Sequence, residues 1–385
     1  MHRRNCSACF CAVALLCAAC SPEAYDVSRG IDKEMTLFTE EVSLPVGDVG
    51  PISLGILLDK SGFRSVIQDF VQEDSEGYLV MSKEGEVYSN WILMLSMLFP
   101  DTSRPVDFPA GNISGTIETM SSSVAAMGLS LDRQVFTLTA RNPLTEEISV
   151  SGKLTLRSEA SGNTPAEAVA SQDFAQTKVA AQADNGVVVK IDRSNEKAFY
   201  GYDVDGLTFH LPEAFVAKDA SGGLGLLRLA YEYKAYLALG ENFAFPFNFD
   251  IGDLDLPLGQ YKVKEAKICT EVSSEIPVSL TVNSVEVLVR RTGEDGSESL
   301  EPCGDVSVTP GLKIASGCSG SPKVTPLEIV VKADEGTIPD IAGLRVDFNV
   351  QPPTGDGDKR LGMNQFVYFN NLRATVSGGI TIQSL

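Results

Sequence analysis

Apolar residues return at every second position along most of this chain, in short runs closed by Gly, Pro, Asn or Asp. The clearest runs are Gln134–Thr139, Ile148–Leu156, Val187–Ile191, Leu207–Leu211, Leu227–Tyr233, Val278–Val289, Leu327–Lys332 and Leu344–Val350. A period of two puts alternate side chains on opposite faces of an extended strand, so each run buries one face and wets the other. Glu294-Asp295-Gly296 and Asp356-Gly357-Asp358 supply turn chemistry between such runs. The pattern predicts an all-β fold.

Helical signals are few. Thr164-Pro165-Ala166-Glu167 has the form of a capping box with Pro at the first helical position. It opens an Ala-rich stretch that reads as a short helix or a loop ending near Asn185-Gly186. Phe63–Gln72 reads as a second short helix. Trp91–Phe99 is apolar at every position but Ser96, and far shorter than the roughly 20 residues that span a bilayer. It predicts a strand buried on both faces or a short core helix.

Three weak matches at nearly constant offset suggest internal duplication. Phe108-Pro109 recurs as Phe245-Pro246, Glu147–Ser151 resembles Glu275–Ser279, and Gly206-Leu207 recurs as Gly343-Leu344. Two tandem β-sandwich-like domains are expected, residues 35–215 and 216–385. The join would fall near the linker-like Ala220-Ser221-Gly222-Gly223.

The first 20 residues give an address. His2, Arg3 and Arg4 precede an unbroken apolar run from Ala8 to Ala19, and Ala18-Ala19-Cys20-Ser21 closes it. That is a secretory signal over residues 1–19 with a cysteine at the cleavage point. It resembles the lipobox of bacterial lipoproteins, with Cys17 standing where the family has Leu. The resemblance implies that Cys20 is acylated, with palmitate among its lipids, and holds the chain to the membrane. Ser21 rather than Asp after the cysteine implies sorting to the outer membrane or cell surface. Residues 20–34 read as an acidic tether.

Loss of residues 1–19 removes Arg3 and Arg4 and no acid, taking the formal charge from −20 to −22. Such a surface repels phosphate backbones and anionic headgroups, so nucleic acid is not an expected partner. Three cysteines remain beyond Cys20. Cys303 and Cys318 are placed to close a loop of about 15 residues, worth about 3 kcal/mol if bridged, and sequence does not choose among the three pairings that three cysteines allow. Cys269 reads as a buried strand residue. No pair has zinc-type spacing, and neither a metal nor a cofactor is expected.

Chemistry is sparse. The mature chain has one histidine, His210, which reads as a surface or edge residue, and no Gly-x-Ser-x-Gly elbow accompanies it. Asp250, Asp253 and Asp255, Asp203 and Asp205, and Asp356 and Asp358 cluster as turns do, and none fits an EF-hand loop. Phe243, Phe245, Phe247 and Phe249 lie at period two, and read as the inward face of a sandwich on an edge or bulged strand because of Pro246. No catalytic residue is assigned, and the chain is not read as an enzyme.

Signal, tether, two β-rich domains and the Phe/Asn-rich ending (Asn364 to Asn371, then Ile380-Thr381-Ile382) resemble exported β-rich lipoproteins of Bacteroidota. The resemblance implies a membrane-anchored, non-enzymatic binding or structural module for a glycan or protein ligand. Two alternatives stand beside it: a fimbrillin-like adhesin or pilus subunit, whose N-terminal strand would be released near Lys60 or Arg64, and a carboxylate-dependent glycan hydrolase.

Overall fold

A computed structural model describes residues 34–38, 41–60, 62–117, 128–160, 165–194, 198–240, 243, 247–252, 254–261, 263–304, 306–308, 313–334, 336–353, 357–376 and 380–383. The signal, Cys20 and most of the tether lie outside them. The chain opens with β1 (Glu34–Phe38), β2 (Val42–Ser53), α1 (Leu54–Lys60), α2 (Phe63–Ile67), β3 (Gln72–Glu73), β4 (Leu79–Trp91) and α3 (Ile92–Leu98). It continues through β5 (Val106–Thr116), β6 (Leu129–Arg141), β7 (Ile148–Arg157), β8 (Ala168–Val179), β9 (Gly186–Ser194), β10 (Gly201–Leu211) and β11 (Leu226–Leu239). Then follow β12 (Phe247–Ile251), β13 (Glu265–Ser274), β14 (Ser279–Thr292), β15 (Glu298–Pro302), β16 (Val306–Val308) and β17 (Lys313–Ile314). The last strands are β18 (Lys323–Ala333), β19 (Gly343–Gln351), β20 (Phe366–Val376) and β21 (Ile380–Gln383).

The fold is all-β and antiparallel, as the periodicity predicts. Lobe 1 stacks a sheet ordered β5-β10-β7-β8 on one ordered β3-β4-β11-β6-β9. Aromatic rings lock the two together: Tyr202 of β10 meets Phe136 of β6 at 5.9 Å and Tyr231 of β11 at 5.2 Å between ring centroids. Lobe 2 stacks β12-β19-β14-β15 on β16-β18-β13-β20-β2. β1 and β21 form a separate two-stranded ribbon.

The two lobes are wired alike. Four strands of each lobe-1 sheet, β4-β11-β6-β9 and β5-β10-β7-β8, correspond in chain order to β2-β20-β13-β18 and β12-β19-β14-β15 of lobe 2. The three sequence matches join equivalent strands or the turns leading into them: Phe108-Pro109 with the approach to β12, Glu147–Ser151 with the approach to β14, and Gly206-Leu207 with the start of β19. Duplication therefore shows in the topology more strongly than in the sequence.

The division expected at residue 215 does not follow the sheets. β11 is a central strand of lobe 1, and β2 supplies the edge of a lobe-2 sheet by pairing with β20. Lobe 1 is thus inserted between the first and second strands of lobe 2. Ala220–Gly223 is a loop within lobe 1 rather than a linker between domains. A strand given before the insertion can pair with β20 only when both crossings lie close together, which fixes the lobes base to end.

Their seam is apolar inside and hydrogen-bonded at the rim. Leu58, Phe63, Leu239, Phe243 and Leu361 meet there, with Phe63 and Phe243 edge-to-face at 5.5 Å. Burying each of these side chains stabilises by about 1.5–3 kcal/mol. Around them the β19–β20 loop is knitted to lobe 1: the Leu79 amide donates to Leu361 O at 2.8 Å, the Leu361 amide to Leu237 O at 2.8 Å and the Met363 amide to Gly77 O at 2.9 Å. Arg360 stacks over Tyr78, 4.0 Å from the ring centroid, while binding Asp358.

Two local expectations change. The stretch after Pro165 is strand β8, not helix, because Ala168–Val179 finds a full ladder along β7 and outbids a capping signal with no apolar helical face behind it. Trp91–Phe99 is a helix, but only Ile92 and Leu95 are wholly buried; most of it faces solvent.

Candidate functional site

A concavity of about 920 Å³ lies on the outward face of the lobe-2 sheet β18-β13-β20-β2. Alternation builds it. Ala266, Ile268, Thr270 and Val272 of β13 turn into the core, so Lys267, Cys269 and Glu271 turn out. One register row runs across four strands: Pro45, Arg373, Cys269, Glu328. β-bulges make the face concave. Register slips in β2 around Gly47 and between Cys269 and Glu271 on the β13–β20 pair, and bulges bend strands in this way.

At the second slip Asn371 takes a left-handed conformation, φ 53°, which Asn tolerates better than most side chains. Its amide donates to Asp48 Oδ1 at 2.8 Å and its side chain to Glu271 Oε2 at 3.4 Å. Glu328 is 3.7 Å from Lys267. Arg373 makes no ion pair among the described residues, so its guanidinium is open to a ligand. Among the described residues the groove thus offers three carboxylates, one unpaired guanidinium, a carboxamide and Ser43, and no aromatic ring. Such a surface recognises by hydrogen bonds rather than by stacking.

Cys269, read from sequence as buried, stands half-exposed on the groove floor. Cys269, Cys303 and Cys318 are all thiols; Cys318 lies in a turn with its Sγ toward Ser321 O, and Cys303 packs on the core.

His210 is neither at an edge nor alone. It lies on β10, between β5 and β7. Its Nδ1 is 2.6 Å from Asp107 Oδ1, and its Nε2 is 2.8 Å from Ser151 Oγ. The Gln176 amide donates to Ser151 Oγ at 2.8 Å. Because a carboxylate only accepts, neutral His210 carries its proton on Nδ1, and Ser151 donates to Nε2. Sequence could not show this cluster, since the three residues come from strands far apart in the chain.

The order Ser-His-Asp is that of a hydrolase relay, but the setting differs. A relay aspartate is buried beside donors that wait for an oxyanion, whereas the Asp107 side chain is 75% exposed. The same outer face carries a second three-strand ladder, Arg157–Asp203–Ser114, at 2.6 Å on both sides of Asp203. The equivalent lobe-2 strands carry a third, Glu286–Arg345–Asp250. Ser151–His210–Asp107 reads as one of these cross-strand ladders.

The described aspartates singled out by sequence are similarly engaged, apart from exposed Asp205. Asp250 binds Arg345 through both oxygens, Asp255 faces Arg290 at 3.4 Å, and Asp358 binds Arg360. Hydrogen bonds to Arg360 hold the Asp358 carboxyl below the usual range although burial works against them. Asp253 and Asp356 lie outside the described residues, as do Phe245 and Pro246. β12 is an edge strand paired with β19, as expected, and Phe243 is buried.

No family model matches the chain, and no curated protein matches it in sequence. Among solved structures it is similar to a candidate secreted protein from Parabacteroides distasonis ATCC 8503, with 15% identity, 88% of this chain and 100% of that chain covered, and a TM-score of 0.39. It is also similar to the PBSX exported protein XepA (10% identity, 76% and 86% covered, TM-score 0.17). A third is the N-terminal CBM22-1-CBM22-2 tandem domain of Paenibacillus barcinonensis Xyn10C (11%, 80% and 89%, TM-score 0.16). At these TM-scores the fold assignment rests on the strand order itself. No helix among the described residues is long and apolar enough to cross a membrane.

Proposed function

We propose that the chain is an envelope lipoprotein, anchored through Cys20, whose lobe 2 captures a polar, hydroxyl-rich ligand such as a glycan on its outward sheet face. The observation that carries the reading is the groove of about 920 Å³ with an uncommitted Arg373 among Asp48, Glu271, Glu328 and Asn371. Carboxylates accept from sugar hydroxyls and a guanidinium donates to ring or hydroxyl oxygens, each such charged hydrogen bond contributing about 1.5–3 kcal/mol. An open face without aromatic rings recovers only part of that, so affinities of about 10 µM to 1 mM are expected. The groove acts by holding its ligand.

The test is a glycan array probed with the chain lacking residues 1–20. Binding to a defined subset of neutral glycans is expected. Silence across the array, with the protein folded, ends the glycan reading.

A second reading draws on one observation, that β2 is the edge strand of its sheet. Cleavage after Lys60 would release β1, β2 and α1 and bare β20 for a strand from another subunit, in the fimbrillin manner. A protease-nicked chain that retains residues 34–60 and stays monomeric eliminates it.

A further inference from the structure

The floor of the lobe-2 groove sets a donor and an acceptor at a fixed separation, with a thiol between them. Arg373, Cys269 and Glu328 occupy one register row across β20, β13 and β18. Neighbouring strands lie about 4.8 Å apart, so the Arg373 and Glu328 backbones stand two spacings apart, about 9.5 Å, with Cys269 midway. Arg373 and Glu328 are exposed and Cys269 is half-buried, so the charged side chains rise on either side of the sulfur. Across the row the chemistry runs donor, apolar, acceptor. A guanidinium only donates, a carboxylate only accepts, and a thiol does little of either. Both ends are open to a ligand. Arg373 makes no ion pair among the described residues, and Glu328 meets Lys267 only at 3.7 Å, beyond hydrogen-bond length.

That separation discriminates between the polar groups a sugar carries. A hydroxyl donates and accepts through one oxygen, so the two protein groups it joins stand at most two hydrogen bonds apart, about 5.5 Å. A trans amide reaches further. Its C=O and N–H point in opposite directions, its O and N are about 2.3 Å apart, and a hydrogen bond of about 2.9 Å at each end carries the span to about 8 Å. Arg373 and Glu328 are long enough to close the remainder by leaning inward. With its C=O toward Arg373 and its N–H toward Glu328, such an amide lies over the Cys269 sulfur and its substituents run along the strands.

The rest of the groove says what the amide is attached to. Next along β13 is Glu271, and Asn371 ties it to Asp48 by donating to Asp48 Oδ1 at 2.8 Å and to Glu271 Oε2 at 3.4 Å. Beyond the row, therefore, the charged groups are acceptors, which suit a donor-rich ring of hydroxyls. A peptide brings a carbonyl acceptor for each of its N–H donors and would leave those carbonyls facing carboxylates. A plain sugar ring would need an aromatic face to gain apolar contact, and the groove has none among the described residues.

We propose that the groove selects N-acetylated hexosamines, whose acetamido group bridges Arg373 and Glu328 across Cys269. This rests on the reading of the groove as a glycan site and narrows it to one substituent.

The experiment takes the strongest binder from the array of neutral glycans and compares it, by titration calorimetry on the chain lacking residues 1–20, with a congener bearing a hydroxyl in place of the acetamido group. The strongest binders should carry N-acetyl groups, and the congener should bind about 10-fold more weakly or worse. Glu328→Ala, a change at an exposed position, should shrink that preference to within about threefold and leave the congener's own affinity unchanged. Cys269 supplies a second readout. A saturating N-acetylated ligand should slow its alkylation by iodoacetamide severalfold, followed by mass spectrometry, with Cys303 and Cys318 alkylated at unchanged rates. Silence across the array removes the glycan site and this proposal with it. Binding in which the two congeners differ by less than about twofold leaves the groove as a glycan site and overturns this proposal alone. So does a preference that Glu328→Ala leaves intact, and so does a ligand that leaves Cys269 unprotected. Competition by N-acetyl-trialanine amide as strong as that of the sugar would assign the amide bridge to a peptide and overturn it as well.

Discussion

Asp219 holds the loop before β11 together, and removing it gives a sharp test of the energetics. Its carboxylate accepts four hydrogen bonds: from Ser221 N at 3.1 Å, Ser221 Oγ at 2.7 Å, Gly223 N at 2.8 Å and Gly225 N at 2.8 Å. The two glycine amides are buried, and Asp219→Ala orphans both. A buried donor without a partner costs about 1–3 kcal/mol, so the loss should be near 4 kcal/mol, large for a loop residue. The Ser221 groups reach water and add little. The Gly223 and Gly225 carbonyls also accept from the Leu93 and Ile92 amides and so seat α3; the exposed helix should loosen with the loop.

The same carboxylate predicts a pH signature. Burial raises its pKa, but the hydrogen bonds outweigh burial and hold it below the usual range. A pKa lower in the folded than in the unfolded state contributes stability above the unfolded value of about 3.9, and that contribution is lost as pH falls through the folded value. The gap between wild type and Asp219→Ala in urea unfolding should therefore be full at pH 7 and shrink at pH 3. A variant within about 1 kcal/mol of wild type at pH 7, or a gap unchanged at pH 3, refutes the reasoning.

Other outcomes follow from single side chains. Gln134 is fully buried, and its Oε1 accepts from Phe199 N at 2.9 Å and Tyr233 Oη at 2.7 Å; Gln134→Leu should cost about 3 kcal/mol in thermal or urea unfolding. Cys20→Ala should abolish palmitate labelling and release the chain from the membrane fraction, and labelling that persists would contradict anchoring there. A fluorophosphonate probe should label Ser151 no faster than Ser114, the serine of the neighbouring ladder; selective labelling that vanishes in His210→Ala would make the Ser151–His210–Asp107 ladder a working relay.

The strands were legible because period two survives in each of the runs Gln134–Thr139, Leu207–Leu211 and Leu344–Val350, and burial alternates along β6, β10 and β19 as that period requires. The domain division was not, because sequence order carries no sign that Val42–Ser53 pairs with a strand more than 300 positions later. The linker-like Ala220–Gly223 instead ends on Gly223, whose carbonyl, with that of Gly225, seats α3. β8 was hidden by local propensity: Pro165 and Glu167 favour a helix start, while the ladder with β7 is a long-range term invisible to a local window. The groove was hidden for the same reason, since Pro45, Arg373, Cys269 and Glu328 become a row only in register. His210 was visible as a residue but its partners were not, as Asp107 and Ser151 come from other strands. The apolar run at Trp91 is legible in the sequence, but its exposure is not, because burial depends on where the second lobe lies.

The groove carries the functional account, and Arg373 is its most exposed commitment. On the strongest array ligand, titration calorimetry of wild type against Arg373→Ala compares two folded proteins, since the guanidinium is exposed and pairs with no described residue. Loss of a charged hydrogen bond of about 1.5–3 kcal/mol predicts a Kd weaker by about 10-fold or more. A Kd within about twofold of wild type, under 0.5 kcal/mol by the same conversion, would place the ligand elsewhere and contradict the account.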